Sequence, residues 1–206
     1  MRSKAIYVLS VLAIILEVKN LHAMLLPVPD DPMLYFQLAA AFTAFTCFAA
    51  TLAASILYLV EGDFWYDSLA VAITEVSLAF ALIDLVTGSI RTRLIWGAWW
   101  NWDARLTTTL ICFLLYLSYL VLRTAIDEPS RRARLSAVFS IFAFADVPIV
   151  WFVEGPGSTL RGQVQSTVYW NWVALLLVAS ILVLLRFRQE EMRREIDGLR
   201  RLAHAV

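Results

Sequence analysis

The sequence contains few of the residues on which metal, redox and nucleophilic sites depend. Its 206 residues include two histidines and two cysteines, and no Cys-x-x-Cys pair is present. This excludes a thioredoxin-type site and a covalent haem-attachment motif. With only His22 and His204, a transmembrane cytochrome b with paired histidine ligands inside the bundle is also excluded. No Ser-His-Asp set, zinc spacing or phosphate-binding loop appears, so we expect no catalysis by side chains alone.

Charged residues are also scarce, at 17% of the chain, whereas 61% of the residues are hydrophobic and the mean hydropathy is +0.72. This composition lies outside the range of soluble globular domains. Six apolar stretches approach the roughly 20 residues that cross a bilayer, at residues 5–26, 33–60, 64–90, 106–122, 135–152 and 168–185. No small-residue cleavage site closes the first stretch, so we interpret it as a span. The sequence predicts an all-α integral membrane bundle of six transmembrane helices.

The basic residues divide unevenly between the two sides of these spans. With the N-terminus in the cytoplasm, twelve of the seventeen Lys and Arg residues are cytoplasmic. The positive-inside rule therefore predicts that both termini are cytoplasmic. After a transmembrane domain at residues 1–187, residues 188–206 alternate in charge along an apolar stripe, which predicts an amphipathic cytoplasmic helix. This helix rests on membrane lipid or on a partner subunit, and nothing suggests binding to nucleic acid.

Tryptophan is concentrated in the extracytoplasmic connection between the third and fourth spans. Four of the eight tryptophans, Trp96, Trp99, Trp100 and Trp102, lie within seven residues, and Asp103 follows them. We call residues 96–103 the tryptophan segment. One interpretation is an aromatic belt at the membrane interface, but the density of indoles favours a surface for a large planar ligand. If the segment is helical, Trp96, Trp99, Trp100 and Asp103 share one face. Asp103 is also a suitable N-cap for the next helix.

Three arginines predicted to be external could bind carboxylates of such a ligand bidentately. Arg161 is the only basic residue in the Gly- and Pro-containing connection after the fifth span, and Arg91 and Arg93 precede the tryptophan segment. The alternative for Arg161 is an ordinary solvated loop arginine.

Carboxylates lie deep inside two of the predicted spans: the third contains Glu75 and Asp84, and the fifth contains Asp146. An ionisable group at membrane depth costs at least a few kcal/mol and marks a function or a buried partner. These groups either form an ion pathway or bond to neighbouring helices. Pro148 predicts a kink in the fifth span.

The run Trp-Gly-Ala-Trp-Trp-Asn-Trp-Asp-Ala-Arg-Leu-Thr at residues 96–107 resembles the signature of the haem-handling membrane proteins of cytochrome c biogenesis, most closely the CcmC type. Leu-Val-Thr-Gly-Ser at residues 85–89 and Val-Pro-Ile at residues 147–149 support the resemblance. It implies that haem b is held transiently and non-covalently at the outer face of the inner membrane. The four indoles would stack on the macrocycle, and an external arginine would pair with a propionate. The resemblance also implies two kinds of partner, a membrane-anchored haem chaperone and ABC transporter subunits, and exchange rather than enzymatic catalysis.

The sequence differs from this family at the positions expected to bind the haem iron. Family members carry two external histidines as axial ligands, and the corresponding positions here hold Gln37 and Arg161. His22 could supply one ligand, as could Met24 or Met33. The iron ligands therefore stay open. Two alternatives to haem binding also remain: a haem-free structural subunit of the same complex, and a small ion or solute transporter that uses the intramembrane carboxylates.

Overall fold

The computed structural model of the chain describes residues 2–25, 32–149 and 164–204, where all regular structure is helical. Its long helices are α1 (Arg2–Leu25), α2 (Pro32–Glu61), α3 (Phe64–Trp96), α4 (Ala104–Thr124), α5 (Pro129–Phe144) and α6 (Val164–His204). Within the described residues, four stretches are long and apolar enough to cross a membrane: Met33–Glu61, Phe64–Trp96, Ala104–Thr124 and Val168–Ile196. The all-α fold is therefore confirmed, while the full count of six spans and the cytoplasmic position of the termini stay predictions.

Helices α2 and α3 form the centre of the bundle. They are joined by a tight turn in which Gly62 has a φ of 74°, and Asp63 caps the first turn of α3. Three alanines of α2, Ala39, Ala40 and Ala44, have almost no exposed surface. Small side chains of this kind let two helix backbones approach closely within a membrane. Helix α2 also packs against α5 and α6, and α3 packs against α4 and α6.

The polar residues near the end of α1 face α6. Asn20 is buried, and its Nδ2 donates a hydrogen bond to the backbone oxygen of Trp170 over 3.2 Å. The ammonium of Lys19 lies 5.7 Å from the centroid of the Trp170 ring. Polar groups that weaken the first predicted span therefore serve the packing of α1 against α6.

Helix α4 has a polar buried face and an apolar exposed face. Apart from Leu106, its buried residues carry polar or ionisable groups: Thr109, Cys112, Tyr116, Tyr119 and Arg123. Its exposed large hydrophobic residues are Ile111, Leu114, Leu117 and Val121. This distribution suits a helix with lipid on one side and hydrogen-bonding neighbours on the other.

The fifth predicted span is interrupted near the proline, as expected. Helix α5 ends at Phe144, Ala145 forms a turn, and residues 146–149 are helical again. Pro148 has no N–H to donate to the carbonyl four residues earlier, which is that of Phe144, and its ring clashes with that carbonyl. The helix is therefore interrupted where the proline predicts a kink, and the bend itself stays a prediction.

Helix α6 continues without a break from its apolar half into the charged tail. Its exposed face in the tail includes Met192, Ile196 and Leu199. The helical nature of the tail is therefore confirmed, whereas the division of the chain at residue 188 stays a prediction.

Candidate functional site

The tryptophan segment is held between the end of one helix and the cap of the next. Helix α3 ends at Trp96, because Gly97 adopts a left-handed φ of 74° and its N–H bonds to the Arg93 oxygen over 3.1 Å. Residues 97–103 are not helical. The Asp103 carboxylate then accepts a hydrogen bond from the Leu106 N–H over 2.8 Å, which confirms the predicted N-cap. The prediction that Trp96, Trp99, Trp100 and Asp103 share one helical face is wrong, because Gly97 ends α3 directly after Trp96.

Three of the four indoles are exposed. The exposed fractions are 72% for Trp96, 64% for Trp99 and 77% for Trp102. Trp100 is partly buried and meets the Trp102 ring edge to face, with centroids 5.8 Å apart. An indole covers a large apolar area when a ligand or lipid packs on it. The segment therefore presents an apolar aromatic surface at the end of α3.

Arg93 lies beside one of these rings. Its guanidinium lies 5.8 Å from the centroid of the Trp99 ring and donates a hydrogen bond to the Gly97 oxygen. Arg91 is half-buried on the same turn of α3. Arg161, the other predicted clamp, lies outside the described residues. His22 is exposed on the last turn of α1, a helix that packs against α6.

Several buried polar atoms near this end of the bundle have no hydrogen-bond partner within the described residues. They are both amide atoms of Gln37, the indole nitrogen of Trp100 and the hydroxyl of Thr107. Gln37 has no exposed surface. A Cβ added to Gly88 would lie 2.7 Å from the Gln37 Nε2 and equally close to the Leu106 Cδ2. Gly88 therefore leaves room for the ends of the Gln37 and Leu106 side chains where α2, α3 and α4 meet, and position 37 lies inside the bundle.

The three intramembrane carboxylates do not gather into one site. Glu75 is paired with the Arg186 guanidinium of α6, whose Nη2 donates over 2.7 Å. Asp84 is buried two to three turns further along α3, and Asp146 is half-buried just after the turn at Ala145. In the described part of the chain, no three His, Cys, Asp or Glu side chains come together as a metal site.

A buried ion-pair network at the opposite end of α3 was missed by the sequence analysis. Arg123 donates to both carboxylate oxygens of Asp67, over 2.5 and 2.9 Å, and Arg194 donates to the same carboxylate. The side chains of Asp67 and Arg123 are only 4% and 8% exposed. The signal was an acid at the start of one span and an arginine at the end of the next, which a helix reversal brings to one end of the bundle.

Comparison with known proteins gives a consistent result. A family model described as "Heme exporter protein C" matches residues 3–202. The chain is similar to proteins of that name from Bradyrhizobium diazoefficiens (36% identical, 65% of this chain and 56% of the relative) and Rhodobacter capsulatus (33%, 81% and 75%). The protein of that name from Escherichia coli K12 is 28% identical, over 76% of this chain and 68% of its own length. This chain thus spans just over half of the Bradyrhizobium relative.

A model match over nearly the whole chain, and relatives above 30% identity across most of it, agree with the motif at residues 96–107. The chain belongs to the CcmC family, described as haem exporter protein C.

Proposed function

We propose that the chain holds haem at the extracytoplasmic face of the inner membrane and hands it to a membrane-anchored haem chaperone. The observation that carries this proposal is the set of three exposed indoles, Trp96, Trp99 and Trp102, with an arginine beside one of them. The haem is cargo: it is bound non-covalently and transiently as haem b, and no bond is made or broken by the side chains. The chain is a delivery component and not an enzyme.

The indoles suit the apolar part of the cargo. Offset or edge-to-face contacts between aromatic groups contribute about 0.5–1.5 kcal/mol each beyond the area they bury. A porphyrin is wide enough to contact more than one ring. Residues 97–103 are not helical, so their indoles do not all lie on one helical face and can contact a planar ligand from different directions. Such contacts give affinity without trapping the haem, as transfer requires.

The polar groups suit the charged edge of the cargo. Arg93 lies against the Trp99 ring, so its guanidinium can turn from the Gly97 oxygen to a propionate and bind it bidentately. The indole nitrogen of Trp100 and the hydroxyl of Thr107, which have no hydrogen-bond partner among the described residues, are further polar groups at this end of the bundle. A buried donor or acceptor left without a partner costs about 1–3 kcal/mol. A polar ligand group that reached them would recover part of that cost.

Family membership supports the proposed partners and location. Relatives are described as haem exporters, and the family resemblance implies ABC transporter subunits as neighbours in the membrane. On this proposal the exposed apolar faces of α4 and α6 contact membrane lipid or these subunits. Arg161 remains a proposed second clamp for the propionates.

Haem occupancy of purified protein tests the proposal. The chain is expressed with haem supplied, and the Soret absorbance per protein is compared with that of a Trp96→Ala/Trp99→Ala/Trp102→Ala variant. We expect the triple variant to lose most of its haem and Arg93→Gln to lose part of it. Trp65→Ala is the matched control, because Trp65 is 46% exposed at the other end of α3.

Two outcomes would contradict the proposal. Equal occupancy in the wild type and the triple variant would remove the role of the indoles. A wild-type protein with no Soret band that still co-purifies with its partner subunits would support the haem-free structural subunit instead. A transporter that uses Glu75 would show ion flux in liposomes that Glu75→Gln abolishes; on our proposal that variant keeps its haem.

A further inference from the structure

A charged cavity lies at the end of the bundle opposite the tryptophan segment. It has a volume of about 540 Å³ and is bounded by α3, α4, α5, α6 and the connection between α4 and α5. We call it the arginine cavity, because four guanidiniums line it, those of Arg123, Arg132, Arg193 and Arg194. It shares no residue with the proposed haem site.

The arginine cavity carries a surplus positive charge. Its lining also includes the carboxylates of Glu75, Asp127 and Glu190. Glu75 is already paired with Arg186, and the single carboxylate of Asp67 serves both Arg123 and Arg194. Arg186 and Asp67 do not line the cavity but pair with residues that do. With these two included, there are five guanidiniums and four carboxylates, which leaves one positive charge.

One of these arginines also has spare hydrogen-bonding capacity. The Nε of Arg132 is buried and has no hydrogen-bond partner within the described residues. A buried guanidinium N–H without a partner is costly unless an acceptor comes from elsewhere. A monoanion whose oxygens accept from guanidiniums would satisfy both the surplus charge and this donor.

The rest of the lining indicates where such an anion comes from. Val71, Leu120 and Ile126 form an apolar part of the wall. Leu120 belongs to α4, whose neighbouring residues Leu117 and Val121 form part of its exposed apolar face. That face therefore leads along the helix to the cavity, at the level where an apolar span gives way to charged residues. Basic pockets between helices at this level bind the headgroups of anionic lipids.

We propose that the arginine cavity binds the phosphodiester headgroup of an anionic phospholipid. The headgroup contributes one negative charge, which matches the surplus, and its glycerol and first acyl carbons lie against the apolar wall. The lipid thereby ties the charged half of α6 to α4 and α5, since Arg193 and Arg194 come from α6 and Arg132 from α5. This binding is independent of the haem proposal.

Lipid titration of the full chain tests this inference. The protein is purified in detergent, stripped of lipid, and titrated with phosphatidylglycerol, phosphatidylcholine, phosphatidylethanolamine or glycerol 3-phosphate while bound ligand is counted by native mass spectrometry. We expect one phosphatidylglycerol per chain, bound at least about tenfold more tightly than phosphatidylcholine. The Arg132→Gln/Arg193→Gln variant should bind it about tenfold more weakly, since each lost guanidinium removes charge-assisted hydrogen bonds. Both positions are chosen because the buried ion pairs of Asp67 do not involve them.

The control variant is Arg131→Gln/Arg188→Gln, which removes the same charge from α5 and α6 at positions that do not line the cavity. It should bind phosphatidylglycerol like the wild type. An equal loss in both variants would reduce the effect to general surface attraction and overturn the proposal. So would equal affinity for phosphatidylcholine or phosphatidylethanolamine, or binding of glycerol 3-phosphate as tight as that of the lipid, which would indicate a soluble phosphate ester. Haem occupancy, read from the same samples, is expected to be unchanged in both variants.

Discussion

Substitution of Asp67 by Asn should be among the most destabilising single changes in this bundle. Its carboxylate is 4% exposed and neutralises two guanidiniums, of which that of Arg123 is 8% exposed. Removing one partner from a buried ion pair costs about 3–5 kcal/mol, because the remaining charge stays buried and uncompensated. Glu75 provides the comparison, since it also pairs with an arginine of α6 but is 27% exposed, and its partner Arg186 is 25% exposed.

Because the two ion pairs differ in exposure, the two substitutions should differ in their cost to stability. Glu75 lines the arginine cavity, so water that enters the cavity screens its interaction with Arg186. The Glu75–Arg186 pair is partly exposed, so its contribution should lie closer to that of a surface pair, about 0.2–1 kcal/mol, than to that of a buried one. We therefore expect Glu75→Gln to cost about 1 kcal/mol or less and Asp67→Asn several times as much. The measurement is the midpoint of unfolding in an SDS titration of detergent-solubilised protein, followed by circular dichroism.

A double variant identifies the cause of the loss. If the cost of Asp67→Asn comes from the stranded Arg123 guanidinium, Asp67→Asn/Arg123→Gln should cost less than the two single changes together, by about 0.5–3 kcal/mol. Strict additivity would show that the two side chains do not act as a pair. A loss for Asp67→Asn no larger than that for Glu75→Gln would refute the expectation that the burial of the Asp67–Arg123 pair sets the cost of breaking it.

Three further predictions concern packing and capping, and the same unfolding assay checks each. Gly88→Ala should cost about 1–3 kcal/mol, because its Cβ would overlap atoms of α2 and α4, whereas Ser89→Ala should stay within about 0.5 kcal/mol. Asp103→Ala should cost about 1 kcal/mol through loss of the N-cap of α4, and Asp103→Asn should retain most of it. Phe48→Ala should cost about 3–5 kcal/mol, since its fully buried ring stacks on Tyr116 at 3.9 Å; a loss below 1 kcal/mol would contradict that packing.

Much of the helical architecture could be predicted because membrane helices have strong local signals. Apolar runs of the right length located the helices, and the cap at Asp103 followed from residue type and position alone. The interruption before Pro148 followed from the missing N–H of proline. The prediction that the tryptophans share a helical face was wrong, because the spacing of the side chains does not show which backbone conformation the intervening glycine adopts. Gly97 takes a left-handed conformation that ends the helix.

The candidate site was predictable only in part. The density of tryptophan indicated a binding surface, but which indoles are exposed depends on how residues 97–103 leave the bundle. Likewise, the sequence gives no reason to prefer Arg93 over Arg91 as the arginine beside the indoles. The turn at the end of α3 brings the Arg93 guanidinium to 5.8 Å from the centroid of the Trp99 ring. The burial of Gln37 against Gly88 needs three helices to meet and carries no local signal.

The sequence by itself determined that the chain is an apolar helical protein of the CcmC family, because hydropathy and a dense aromatic motif are properties of consecutive residues. Tertiary structure decided which ionisable groups neutralise one another. Asp67 pairs with Arg123 and Arg194, which lie 56 and 127 residues further along the chain. Glu75 pairs with Arg186, which lies 111 residues further along. Such pairs form only when helices pack, since the energy of an ion pair depends on the distance and burial of its charges, and neither quantity is written in the order of residues.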